Sequence, residues 1–148
     1  MKGIGARGKQ AGARTDKARR LLDDALARDD GQRADAALAE IERLPGRHLY
    51  FLDDHLFGDQ RFARALFDGM RGMGRLFQGA ATVDSVLRGD LVERAAEAGL
   101  RSLFVGFETF SAQNLSASNK KQNLARDYAE VARRLSGLGV MINGSFVF

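Results

Sequence analysis

From residue 48 to residue 148 the chain alternates between short apolar runs that read as strands and longer stretches with helical spacing, and this alternation constrains the fold more than any other feature. "HLYFLD" (48–53), "RLFQGAAT" (75–82), "RSLFVGFE" (101–108) and "VMINGSFVF" (140–148) are strand-like. Between them, "QRFARALFDGMRGM" (60–73) puts Phe62, Leu66, Met70 and Met73 at helical spacing, and "RGDLVERAAEAG" (88–99) runs from a candidate N-cap at Asp90 to Gly99 at the C′ position. "ARDYAEVARRLSGLG" (125–139) is helical again, preceded by a short turn capped by Ser111. Single helices between strands force parallel pairing through right-handed crossovers, so the fold class is α/β with a parallel βαβαβαβ array. The strands are apolar almost throughout, which predicts a sheet covered on both faces.

Upstream, the pattern divides. Residues 1–14 show no period and read as disordered. Two N-terminal helices follow, one from a Thr15 cap to Gly31, the other with Ala34, Ala37, Leu38, Ile41 and Leu44 on one face before Pro45-Gly46 stops it. Residues 1–33 are therefore expected to form an atypical basic segment, and residues 34–148 the folded array.

In parallel sheets and barrels, ligands meet the chain at the carboxyl ends of the strands. The residues at those ends are acidic and polar. Asp53 and Asp54 follow the first strand, with His55 next to them; Asp84 and Ser85 follow the second; Glu108 ends the third. Period-two alternation places Glu108 on one face with Gly106 and Phe104, while Leu103, Val105 and Phe107 turn toward the helices. On the fourth strand Asn143 and Ser145 share a face with Met141 and Val147. The same carboxylates also suit structural work, since Asp53, Asp54 and Asp84 stand where βα loops are commonly capped. His55 reads as a loop or packing residue, and the Met and Phe residues of 60–73 as core.

Charge narrows the partners. The net charge is +4, but residues 1–20 carry seven basic residues against one acid, +6, which leaves the remainder at −2. The basic stretch has no aromatic residue for base stacking, so a nucleic-acid partner is not expected. No apolar run approaches the roughly 18 residues of a membrane span, and no signal-like stretch opens the chain, so no membrane partner and a cytoplasmic location are expected.

The segments "YFLDDHLFGD" (50–59), "QGAATVDSVLRGDLVERAAEAGLRSLFVGFETFS" (78–111) and "GLGVMINGSFVF" (137–148) resemble consecutive strand units of radical S-adenosylmethionine enzymes, especially the branch that often carries a cobalamin-binding domain. The resemblance covers residues 34–148. It implies part of a (β/α)6 partial TIM barrel, the second to fifth strand units, with S-adenosylmethionine as cofactor. It implies that Asp53 and Asp54 meet the methionine amine, that Glu108 reaches the ribose, that Asn143 and Ser145 lie along the adenine, and that Asp84 and Ser85 lie close to cofactor or substrate. An ammonium group and sugar hydroxyls are donors that carboxylates accept from.

The family also implies a [4Fe–4S] cluster held by three thiolates, and this chain contains no cysteine. The expectation is therefore a truncated relative, inactive alone, that binds neither the cluster nor cobalamin itself. A partner chain completing the barrel is a further expectation, because open sheet edges seek pairing. Two other functions fit the residues: a non-catalytic interaction module, and a Mg²⁺-dependent hydrolase using the strand-end carboxylates as oxygen ligands.

Overall fold

The computed structural model describes residues 5–53, 56–106 and 118–145, without the side chains of 5–22, 25, 118–126 and 145. Helix α1 (Gly5–Arg43) leads through a turn into β1 (His48–Tyr50). Helix α2 (Gln60–Met70), β2 (Leu76–Thr82), the short α3 (Val83–Leu87) and α4 (Leu91–Ala98) follow, then β3 (Leu100–Gly106), α5 (Ser118–Gly137) and β4 (Met141–Ser145). The four strands form one parallel sheet in the order β1-β2-β3-β4. The chain is thus α/β, and each connection carries it from the carboxyl edge of the sheet back to the amino edge.

Alternation along the strands decides which face is covered. Phe77 and Ala81 of β2 and Leu103 and Val105 of β3 are buried. They meet Leu66, Phe67 and Met70 of α2, Leu91, Val92 and Ala95 of α4, and Val131 and Leu135 of α5 in one core. Phe67 stacks on Phe77 with centroids 5.7 Å apart, and Phe51 meets the same ring edge-on at 5.3 Å. The intervening residues Gln78, Thr82 and Phe104 are exposed. The expectation of a sheet covered on both faces is corrected: among the described residues the helices cover one face only. Apolar composition could not separate the two cases, because Phe104, Met141 and Tyr50 are as apolar as the core residues beside them in sequence.

Three local differences from the sequence reading have identifiable causes. The two expected N-terminal helices are one, and α1 runs through Gly31 and through residues 5–14 that lack a period. A glycine inside a helix costs about 1 kcal/mol against alanine, and Ala34 and Ile41 on the buried side pack α1 against α2 strongly enough to offset that. Helix α5 starts at Ser118 rather than at 125. Helix α3 was not expected at all; it begins where β2 ends, with Thr82 and Ser85 forming a reciprocal capping box.

Two side chains fix the ends of elements. Asp59 caps α2 by accepting from the Phe62 amide at 3.3 Å while its other oxygen accepts from Arg33 of α1 at 3.0 Å. Arg75 closes the other end of α1: its guanidinium donates to the carbonyls of Ile41 at 2.8 Å and Leu44 at 2.9 Å, and to that of Gly46. Ile41 is in the last turn of α1, where carbonyls run short of intrahelical partners, and Leu44 and Gly46 lie in the segment that follows it. At Gly99 the backbone is left-handed, φ 116°, as expected for the C′ glycine of α4.

Candidate functional site

The uncovered face is the candidate site, and strand register sets out its residues in rows. The lowest full row is Tyr50, Gln78, Ser102 and Met141; the next is Ala80, Phe104 and Asn143; the last, at the carboxyl edge, is Thr82, Gly106 and Ser145. Its floor is partly apolar, with Tyr50 at 58%, Phe104 at 43% and Met141 at 61% exposure. Exposed aromatic and thioether side chains side by side on one sheet face are an apolar surface without a protein partner among the described residues.

Polar groups are set into that surface. Asn143 donates from its side-chain amide to the Ser102 hydroxyl at 2.7 Å, and Ser102 is itself only 7% exposed. Among the described residues a Cβ added at Gly106, between Thr82 and Ser145 in register, would meet no atom within 4 Å. Gly79 points to the covered side instead, where a Cβ would lie 3.7 Å from Leu56. Of these two glycines, Gly106 is on the open face and Gly79 on the covered one.

The expected site residues divide accordingly. Asp53 is exposed just past β1, and Asp84 follows β2; because β1 and β2 are parallel neighbours, both stand along the same edge of the sheet. Asp84 pairs with Arg88, the residue just past the end of α3, and 74% of its side chain is exposed. Ser85 is engaged in the capping box, its amide donating to Thr82 Oγ1 at 3.2 Å and its hydroxyl to the Thr82 carbonyl at 2.9 Å. Asn143 lies on the open face beside Phe104. Asp54, His55 and Glu108 fall outside the described residues, as does the side chain of Ser145.

Thr82, read from the sequence as standing at the end of the second strand, is at this rim. Gln78 and Ser102, which sequence reasoning passed over, also stand on this face, and period two along β2 and β3 was the signal that could have found them. Among the described residues no three Asp, Glu or His side chains gather as a metal site, and no helix is long and apolar enough to cross a membrane.

No family model matches the chain. Over 116 residues, 77% of its length, it is 25% identical to the bacteriochlorophyllide d C-12(1)-methyltransferase of Chlorobaculum tepidum. The chain spans 25% of the length of that protein. The likeness is a distant link to a methyltransferase, and it covers most of this chain while leaving most of the relative unmatched.

Proposed function

We propose that the chain is a distant relative of the radical S-adenosylmethionine enzymes, built as part of a (β/α)6 barrel, whose open sheet face receives S-adenosylmethionine. The observation that carries this reading is the sequential strand order together with a sheet face that no described helix covers. A doubly wound sheet reverses its order at a switch point and has helices on both sides, whereas a sheet wound in one direction has helices outside and a lumen-facing surface within. The distant methyltransferase relative supports the same direction.

The cofactor chemistry fits the face in part. Phe104 and Met141 offer an apolar bed for a purine, and Asn143, held by Ser102, offers an amide at its side. Asp53 and Asp54 would take the ammonium group, Glu108 the ribose, Asn143 and Ser145 the adenine edge, with Asp84 and Ser85 at the neighbouring rim. In this reading residues 34–148 are the barrel units and residues 1–33 a separate basic segment. An iron–sulfur cluster does not fit this chain. Such clusters require thiolates, and the sequence has none. No step of radical chemistry is therefore assigned to these residues, and the chain binds without cleaving.

A second reading has its own observation. The outer edge of β1 is unpaired among the described residues: Arg47 and Phe51 bond to β2, so the backbone groups of His48 and Tyr50 point away from it. Beside that edge runs a groove of about 560 Å³ lined by Ala37, Ile41, Leu44, Leu49 and Leu52. A strand from a partner chain, running parallel to β1, would extend the sheet and fill the groove.

Isothermal titration separates these readings. Saturable heat with S-adenosylmethionine, weakened about tenfold by Phe104→Ala or Asn143→Ala, supports the first. Heat with Mg²⁺ and none with S-adenosylmethionine would replace it with the hydrolase. Anaerobic reconstitution with iron and sulfide should leave no visible absorbance after desalting, and a band that persists would overturn the cluster-free assignment.

A further inference from the structure

One side chain ties three segments together behind the carboxyl edge. Arg134 of α5 donates from Nη1 to the Val86 carbonyl of α3 at 2.7 Å and from Nη2 to the Gly89 carbonyl in the turn before α4. Its Nε and Nη2 reach the two carboxylate oxygens of Glu93, in the first turn of α4, each at 2.6 Å. The pair is partly sheltered, with 20% of the Arg134 side chain and 35% of the Glu93 side chain exposed. A fork that meets both carboxylate oxygens is a strong, geometrically specific pairing that a lysine cannot reproduce.

Helix α3 depends on such help. Five residues are far below the length at which a helix persists alone. At its start the Thr82–Ser85 box supplies partners, and near its other end the Val86 carbonyl accepts from Arg134. No loop separates α3 from β2, so displacement of α3 moves Thr82 at the rim of the open face. Helix α5 leads through the short turn at 138–140 into β4, which carries Asn143.

We propose that Arg134 is a positioning residue for the open face: by clamping α3 from α5, it holds the β2 rim, with Thr82, Asp84 and Ser85, in fixed relation to Asn143 on β4. The ligand part of this inference rests on the S-adenosylmethionine reading. Removing the guanidinium frees the rim locally while the core beneath, built from Leu103, Val105 and Val131, stays packed.

The test combines amide hydrogen exchange on the full chain with S-adenosylmethionine calorimetry. Arg134→Met is expected to speed exchange over residues 84–90 about tenfold while leaving the amides of α2 unchanged, and to weaken ligand binding about fivefold. Arg133→Met, which removes the neighbouring exposed arginine paired with Glu130, changes neither. If Arg134→Met fails to fold, Glu93→Gln shifts both readouts in the same direction by less. Fast exchange in Arg134→Met, beside a wild type that takes up no S-adenosylmethionine, upholds the clamp and removes the ligand assignment. Unchanged exchange in Arg134→Met and Glu93→Gln, or unchanged affinity beside fast exchange, overturns the positioning role.

Discussion

Asn143 on β4 and Ser102 on β3 are joined by a 2.7 Å hydrogen bond that runs diagonally between two rows of the bare sheet face. The bond sits where one partner is exposed and the other is nearly closed off from water, so the two ends are unequal in cost when broken.

That inequality gives a first prediction. Asn143→Ala strands a buried hydroxyl and is expected to lower stability by about 1–2 kcal/mol, whereas Ser102→Ala leaves an amide that water can reach and costs about 0.5–1 kcal/mol. Urea unfolding of both variants and the double mutant should give a coupling energy of about 0.5–1 kcal/mol.

Arg75 is expected to matter more than its position on the surface suggests. Its guanidinium supplies the partners for carbonyls at the end of α1, including Ile41 and Leu44. Arg75→Met should cost about 1–3 kcal/mol, and Arg75→Lys should restore less than half of that because an ammonium cannot reach several carbonyls at once. Denaturant midpoints of the two variants check this.

Two glycines should respond oppositely to alanine. At Gly99 the backbone is left-handed and an added Cβ would lie 2.0 Å from the Arg75 carbonyl oxygen, so Gly99→Ala should cost more than about 2 kcal/mol. At Gly69 the added atom would instead meet the tip of the Leu38 side chain at 2.3 Å, which can rotate away. A helical propensity gain of up to about 1 kcal/mol offsets that adjustment, so Gly69→Ala should lie within about 1 kcal/mol of wild type. Thermal unfolding distinguishes them directly.

Asp90 gives a pH prediction. Arg64 at 2.5 Å and then Arg94 at 2.8 Å hold its carboxyl well below the usual carboxylate range. Because the folded value is depressed, the stabilisation is present above the ordinary value of 3.8 and is lost as pH falls through the folded value. Asp90→Asn should therefore lower the thermal midpoint near neutrality, and the difference from wild type should close in acid below pH ~4. A gap that stays constant down the acid limb would count against the ion pairs.

The sequence order of strands, their parallel sense and the faces of Phe104, Gly106 and Asn143 were all legible, because period-two alternation and single-helix crossovers are local properties. The Gly99 terminus of α4 was legible for the same reason: only glycine takes φ 116° without strain. Asp90 was read correctly as standing at the start of α4, but it makes no side-chain cap bond there. Arginines on α2 and α4 take its carboxylate instead, and no local pattern announces a partner 26 residues away such as Arg64.

What the residues determined by themselves was the kind and sequence of elements, and the absence of any thiolate that could hold an iron–sulfur cluster. What only the tertiary structure decided was which sheet face the described helices cover, whether α1 runs on through Gly31, and that five residues after Thr82 form a helix at all. Each depends on atoms brought together from distant parts of the chain, as when Arg134 reaches Val86, and such contacts outweigh local propensities that differ by only a few tenths of a kcal/mol to about 1 kcal/mol.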